Sequence, residues 1–222
     1  MKILEVELTA SNLDLVAEFY RDLLGLEVDS RAEGIAVEIG SSRLVVTEGP
    51  SFAGVHHLAF GISPRDVDLA RQWLRQRVEP ITLAGVDTFD GPPGWDSRSV
   101  YFEGPEGIVL ELIARHADRS EPATAGDAPR LLSISEVGIG VPDVGSAVGR
   151  LADAFGLPRF PPQLSGFAPV GGHDGLLIVV ESQRLWFPSG EDLPARGPVT
   201  VRIESAASGE VALTTVATVR AG

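Results

Sequence analysis

The sequence predicts an α+β fold built from repeated βαβββ units. The same position of a short strand holds Glu5, then His57, then Glu136, and each strand runs into an amphipathic helix. In the first and third copies a glycine, Gly25 or Gly156, follows at the same distance from that position, where the end of a helix commonly needs a left-handed residue. We interpret this self-similarity as internal duplication of one supersecondary unit.

The first unit covers residues 1–50. Apolar and polar residues alternate from Leu4 to Thr9, the pattern of a strand with two unlike faces. Ser11 and Asn12 supply N-cap chemistry for a helix over 13–24. Short apolar runs separated by glycine-containing turns predict three further strands, at 26–29, 35–39 and 44–47.

The second unit covers residues 54–114. After the strand that begins at His57, Ser63 and Pro64 predict the start of a helix over 67–78. A long Gly/Pro-rich loop, residues 87–97, is a candidate lid or pocket wall, because long loops in compact domains are commonly functional. Strands over 99–102 and 108–114 end the unit.

The remainder of the chain is a linker and an incomplete second pair of units. Residues 115–130 lack periodicity and are rich in Ala, Pro and charge, which is typical of a linker. Residues 131–222 form a partial, degenerate domain with a helix that ends at Phe155. Its predicted strands are 134–141, 167–170, 176–180 and 199–203, the last opening a fourth copy that does not complete.

Composition limits the class of function. The chain has 222 residues, of which 44% are hydrophobic, and a formal net charge of −13, which opposes binding to nucleic acids and anionic membranes. It contains no cysteine, so disulfides and thiolate-bound metals are excluded. The acidic start lacks the pattern of a secretory signal, and we expect a cytoplasmic protein whose partner is a small molecule.

Three segments resemble the vicinal oxygen chelate superfamily, which includes glyoxalase I, the bleomycin and fosfomycin resistance proteins and the extradiol ring-cleaving dioxygenases. They are FYRDLLGLEV in the first unit, HLAF at the start of the second and YFEGPEGIVLELI at its end. The resemblance covers residues 2–114 well and 131–181 more loosely. It implies that paired units form a curled mixed sheet around a cleft, with residues 1–114 as one full domain.

The resemblance also implies a divalent metal held by the first and last strands of each unit. Carried over by position, the ligands are Glu5, His57 and Glu111, while Val46 stands at the fourth corner and cannot bind a cation. One imidazole and two carboxylates favour Mn²⁺, Ni²⁺, Zn²⁺ or Mg²⁺ over iron. Glu136 has no comparable partner in its own unit, so we interpret it as the trace of a lost site.

Each ligand also has a structural interpretation. His57 alternates with the small residue Ala59, so it faces either a cleft or a core that satisfies it by hydrogen bonds. Glu111 lies in an apolar strand, where it needs a cation that either a metal or Arg98 supplies. Glu5 is followed by Glu7 on the same face, which a solvated strand explains equally well.

Aromatic residues of the second unit are candidates for binding a substrate. Phe89 and Trp95 lie in the long loop, and Tyr101 lies on the strand before Glu111. A cleft formed by the unit would place these three side chains and Arg98 along its wall. The alternative for Tyr101 is cross-strand packing.

These residues support two hypotheses of different class and one weaker one. The first is a metal-dependent lyase, isomerase or ring-opening enzyme for a small substrate with vicinal oxygens, in which Glu5 or Glu111 doubles as a base. The second is a metal-free protein that sequesters a flat ligand, as in the bleomycin-resistance branch. The third is a relic whose cleft is filled by its own side chains. Such folds often pair their units across an interface, so we expect either a homodimer or pairing within one chain through the partial second domain.

Overall fold

The computed structural model describes residues 1–222 and folds them into two seven-stranded mixed sheets. Fourteen strands supply the sheets: β1 (Ile3–Ala10), β2 (Val28–Arg31), β3 (Gly34–Ile39), β4 (Ser42–Glu48), β5 (His57–Ile62), β6 (Phe89–Asp90), β7 (Ser97–Glu103), β8 (Val109–Arg115), β9 (Leu131–Val141), β10 (Phe167–Gly172), β11 (Gly175–Glu181), β12 (Val199–Ile203), β13 (Gly209–Ala212) and β14 (Ala217–Ala221). The α-helices are α1 (Leu13–Glu18), α2 (Val67–Arg75) and α3 (Val144–Phe155).

Two of the helices begin and end where the sequence predicts. The Asn12 side chain accepts a hydrogen bond from the backbone N–H of Leu15 at the start of α1, which continues as a π-helical turn to Leu23. Glycine with positive φ follows the first and third helices, at 69° for Gly25 and 65° for Gly156. None of the helices is long and apolar enough to cross a membrane.

Helix α2 begins at Val67 as predicted but ends earlier than predicted. Its N-cap residue is Asp66, because the Ser63 hydroxyl accepts the backbone N–H of Arg65 and closes a turn before the helix. The helix ends at Arg75.

Each sheet joins two units through one antiparallel pair of strands. In the first sheet, ordered β13-β14-β12-β1-β4-β3-β2, β1 pairs antiparallel with β12 and parallel with β4. In the second sheet, ordered β10-β11-β9-β5-β8-β7-β6, β5 pairs antiparallel with β9 and parallel with β8. The predicted α+β architecture, with curled mixed sheets made of paired units, is confirmed.

The pairing of units corrects the grouping that the sequence suggested. Residues 1–50 and 54–114 do not share a sheet: the second unit pairs with the third, and the first unit pairs with β12, β13 and β14. The reason is that a strand edge accepts one neighbour, and the free edges of β5 and β1 are occupied by β9 and β12. The fourth copy is thus a three-stranded unit without a helix.

The linker predicted over 115–130 begins one residue later than expected. Arg115 is the last residue of β8, and its side chain is fully buried. The end of β8 is therefore part of the folded interior and not of the linker.

The two faces of the second sheet have different environments. Leu58 and Phe60 of β5 point into the main core, which also contains Val6 of the first sheet. His57 and Ala59 alternate with them and point to the opposite face. That face carries a second apolar cluster: Trp95, Leu176, Ile178, Val180 and Trp186.

His56 lies on the core side, where the first unit contacts the second. Its ring lies 5.0 Å from that of Phe52 and lines a small cavity of about 30 Å³. The Nε2 atom is buried without a hydrogen-bond partner. Burial lowers the pKa of His56 from 6.5 to about 4.

We expect protonation of His56 to oppose folding. Because the pKa is about 4 in the folded chain and 6.5 in the unfolded chain, the unfolded state binds the proton first as the pH falls. The contribution of neutral His56 to the free energy of unfolding is complete above pH 6.5. It is lost as the pH falls towards 4, by about 3 kcal/mol in total. Denaturant titrations across this range should show that component in the wild type and in His116→Gln, an exposed control, and lose it in His56→Gln.

Candidate metal centre

Three buried side chains meet on the cleft face of the second sheet. His57, Glu111 and Glu136 each offer one ligand atom, and these atoms lie within 4.8 Å of one another. Ala59 of β5 pairs in register with Glu111 of β8 on one side and with Glu136 of β9 on the other. The two carboxylates therefore flank a methyl group, two residues along the strand from His57.

The hydrogen bond to the backbone fixes the His57 tautomer. Nδ1 lies 3.2 Å from the carbonyl oxygen of Val109, which can only accept, so the neutral imidazole carries its proton on Nδ1. Nε2 then directs its lone pair into the cluster, 3.4 Å from Oε2 of Glu111. Metal-binding histidines are commonly oriented by this kind of bond.

His57 also responds to the two carboxylates. Burial alone lowers the pKa of the imidazole, but the hydrogen bond to Glu111 and the charges of Glu111 and Glu136 outweigh it. The pKa of His57 is consequently raised above its ordinary value of 6.5. The cluster therefore attracts positive charge to its centre.

Arg115 is a fourth charged member of this buried region. Its guanidinium forms an ion pair with Glu136, donates from Nε to the Ser135 hydroxyl and lies 5.1 Å from the ring of Trp95. One nitrogen, Nη1, is buried without a partner. Burial raises the pKa of Glu136 to about 7, against the opposing effect of Arg115 and with the charge of Glu111 adding to the rise.

The fourth corner of the cluster is apolar. Across β5 and β8, His57 pairs with Val109. Across β9 and β11, Glu136 pairs with Leu176 in the equivalent way. By the same register, Ile178 corresponds to Glu111, and Ile178 lines the cavity beside the cluster. Three protein ligands and an open fourth side are the arrangement typical of catalytic metal sites.

The structure does not bring Glu5 to this cluster. Glu5 lies on β1 in the other sheet, between Arg202 of β12 and Arg43 of β4. Its carboxylate is 3.5 Å from Nε of Arg202 and 4.0 Å from Nη1 of Arg43. Val46, which the sequence placed at the fourth corner, lies in the main core.

Glu136 occupies the corner that the sequence assigned to Glu5. The three-copy repeat marks both residues as equivalent to His57, and only the pairing of β5 with β9 selects between them. Glu136, which the sequence suggested as the trace of a lost site, therefore lies beside His57 and Glu111.

A cavity of about 420 Å³ opens onto the cluster. Trp95 of the long loop and Tyr101 of β7 form part of its wall, together with Trp186 and Phe187. The last two belong to the segment that connects β11 to β12, and sequence reasoning missed them because this segment has no repeat pattern.

Trp186 covers the imidazole of the candidate centre. Its ring lies 5.2 Å from that of His57, and its Nε1 donates to the carbonyl oxygen of Val55 at 3.2 Å. Gly138 makes the space for it, since a Cβ there would lie 2.5 Å from the indole.

Phe89 and Arg98 stand outside the wall of the cavity. Phe89 supports it from behind, with its ring 5.7 Å from Tyr101 and 5.1 Å from Phe187. Alternate residues of β7 point to opposite faces, so Arg98 points away from the cavity. It is exposed and lies 3.6 Å from Asp90. The cation next to the cluster is Arg115 instead.

Tyr101 faces the cluster as a hydrogen-bond donor. It pairs in register with Glu111 across β7 and β8. Burial, followed by the charges of Glu111 and Glu136, raises its pKa well above the ordinary value of 10.0. The phenol therefore keeps its proton at neutral pH.

Comparison with solved structures identifies relatives of the whole fold. A candidate dioxygenase from Bacillus subtilis subsp. subtilis str. 168 superposes with a TM-score of 0.61 at 11% identity, covering 100% of this chain and 85% of its own. The V278E mutant of glyoxalase I from Zea mays superposes with a TM-score of 0.58 at 14% identity, covering 90% and 74%. Identities this low show a shared fold alone.

Comparison with curated proteins found none that matches. The sequence itself matches one family over residues 2–154, more than half of the chain. The protein therefore belongs to the Glyoxalase/Bleomycin resistance protein/Dioxygenase superfamily.

Proposed function

We propose that this protein is a divalent-metal-dependent enzyme that acts on a small substrate with vicinal oxygens. The observation that carries the proposal is the meeting of His57, Glu111 and Glu136 at one end of a cavity, with ligand atoms within 4.8 Å of one another. Buried carboxylates at this separation are costly unless a cation or proton compensates them.

The charges and donor types of the site suit a divalent cation. With a neutral imidazole, Arg115 balances one of the two carboxylates, so one negative charge remains buried. One nitrogen and two oxygens favour Mn²⁺, Ni²⁺, Zn²⁺ or Mg²⁺. Such a cation would supply Lewis-acid polarisation of adjacent substrate oxygens.

The residues around the cation would transfer a proton from and to the substrate. A carboxyl group with a pKa of about 7, as in Glu136, can accept a proton from carbon and return it near neutral pH. Glu111 is the second candidate base, and the Tyr101 phenol can donate to a developing oxyanion. Trp186 limits the access of water to His57. Isomerase, lyase and ring-opening reactions all need a base and a group that stabilises an oxyanion.

A second candidate function is metal-free binding of a flat ligand, as in bleomycin-resistance proteins. The observation that favours it is the compensation already present, since Arg115 pairs with Glu136 and His57 with Glu111. Aromatic walls from Trp95, Tyr101 and Trp186 would hold such a ligand.

Metal binding by matched variants separates the two functions. We expect the wild type to bind one Mn²⁺, Ni²⁺ or Zn²⁺ per chain in calorimetric titration, and His57→Ala to lose more than about 100-fold in affinity. Glu5→Gln is the matched control and should bind as the wild type does, because Glu5 lies in the other sheet. A wild type that binds none of these cations, or a site that fails with Glu5→Gln, would contradict the proposal.

Removal of Arg115 measures how far the cluster depends on internal compensation. Arg115→Met leaves Glu136 buried without its partner, which should lower the free energy of unfolding by about 3 to 5 kcal/mol in metal-free buffer. Arg98→Met removes an exposed pair and should cost less than about 1 kcal/mol. Denaturant titration with and without Mn²⁺ provides the readout. Mn²⁺ should stabilise Arg115→Met more than the wild type, and equal stabilisation would argue against a cation beside Glu136.

A further inference from the structure

Exposed apolar side chains line the mouth of the cavity. Six large apolar side chains in the chain are strongly exposed: Leu15, Leu83, Val86, Leu164, Leu185 and Phe187. Three of them, Leu164, Leu185 and Phe187, line the cavity that opens onto the candidate metal centre, with exposed fractions of 55%, 46% and 51%. Concentration of exposed apolar surface at one opening is typical of a binding surface.

Buried neighbours hold this rim in place. Phe187 packs edge-on against Tyr101 with ring centres 5.7 Å apart, and Leu185 precedes Trp186, whose indole is anchored on Val55. The segment that carries Leu164 is tied to the long loop, because Nε1 of Trp95 donates to the carbonyl oxygen of Pro161. These contacts fix the segments that carry Leu164, Leu185 and Phe187 at the mouth of the cavity.

Two exposed charged side chains, Asp90 and Arg184, also line the cavity. Asp90 lies 3.6 Å from Arg98, and the guanidinium of Arg184 lies 5.1 Å from the ring of Phe167. A charged substituent would gain little from these groups, because ion pairs exposed to water are weak. An uncharged apolar substituent would cover Leu164, Leu185 and Phe187.

We propose that the substrates of this protein carry an uncharged alkyl or aryl substituent, which lies against Leu164, Leu185 and Phe187 while the polar end reaches the metal centre. The assignment of the polar end rests on the proposed function, and the apolar contact rests on the rim alone. The substrate class is therefore amphipathic, with adjacent oxygens at one end and an apolar group that reaches the mouth.

The experiment uses two series of probes of increasing chain length. Linear alkyl hydroxamates from acetohydroxamate to octanohydroxamate present vicinal oxygens to Mn²⁺, and the primary amides of equal length do not chelate. Isothermal titration gives each affinity with Mn²⁺ and in metal-free buffer. We expect each added methylene that reaches the rim to tighten binding, by up to about fourfold, in both series. An ω-aminohexanohydroxamate should lose this gain, because its ammonium group would enter apolar surroundings.

The two series keep the two proposals distinguishable. An Mn²⁺-dependent advantage of hydroxamates over amides supports the metal centre, and its absence contradicts the proposed function. Dependence of affinity on chain length supports the apolar contact with or without metal, and equal affinity along both series overturns it.

Exposed leucines provide variants that should fold normally. Leu164→Ser and Leu185→Ser should each reduce the dependence on chain length, whereas Leu83→Ser, equally exposed but outside the cavity, should leave it unchanged. If the rim variants instead convert a dimer to a monomer in sedimentation and leave probe affinity intact, a second copy of the chain covers the rim and the proposal is overturned.

Discussion

The antiparallel pairing of β5 with β9 is the constraint on which the site depends. It sets Glu136 beside Ala59, opposite Glu111, and so brings together residues that are far apart in the chain. Leu58 pairs with Val137 in this antiparallel register, so an approximate twofold axis between them relates the second unit to the third. His57 and Glu136 occupy equivalent positions about that axis. The residue at the centre is small and fully buried, since Ala59 lies between the two glutamates in register.

Electrostatics then gives the cluster its chemistry. Two carboxylates and an imidazole are buried together, and Arg115 offsets only part of the negative charge. The result is an acid, Glu136, whose pKa lies near neutrality at about 7, and an imidazole whose Nε2 lone pair is held ready by the Val109 carbonyl. Groups tuned in this way, at the end of a cavity, are more typical of a functional site than of a structural ion pair.

The sequence predicted the units, the N-cap of α1 and two members of the cluster, because these depend on local pattern. Alternation placed His57 and Ala59 on one face, and the apolar neighbours of Glu111 required a compensating cation. Which unit pairs with which is decided by strand edges and not by local pattern, so the sequence could not choose between Glu5 and Glu136. For the same reason it missed Arg115, which looked like the start of a linker, and Trp186, which lies in a connection without periodicity.

The most direct test of the account is the position of a bound cation. Crystals of the protein grown with Mn²⁺, measured at the Mn absorption edge, would reveal it by anomalous scattering. We expect a single peak within coordination distance of His57 Nε2 and the carboxylates of Glu111 and Glu136. A peak beside Glu5 in the other sheet, or none in crystals that contain Mn²⁺, would contradict the account.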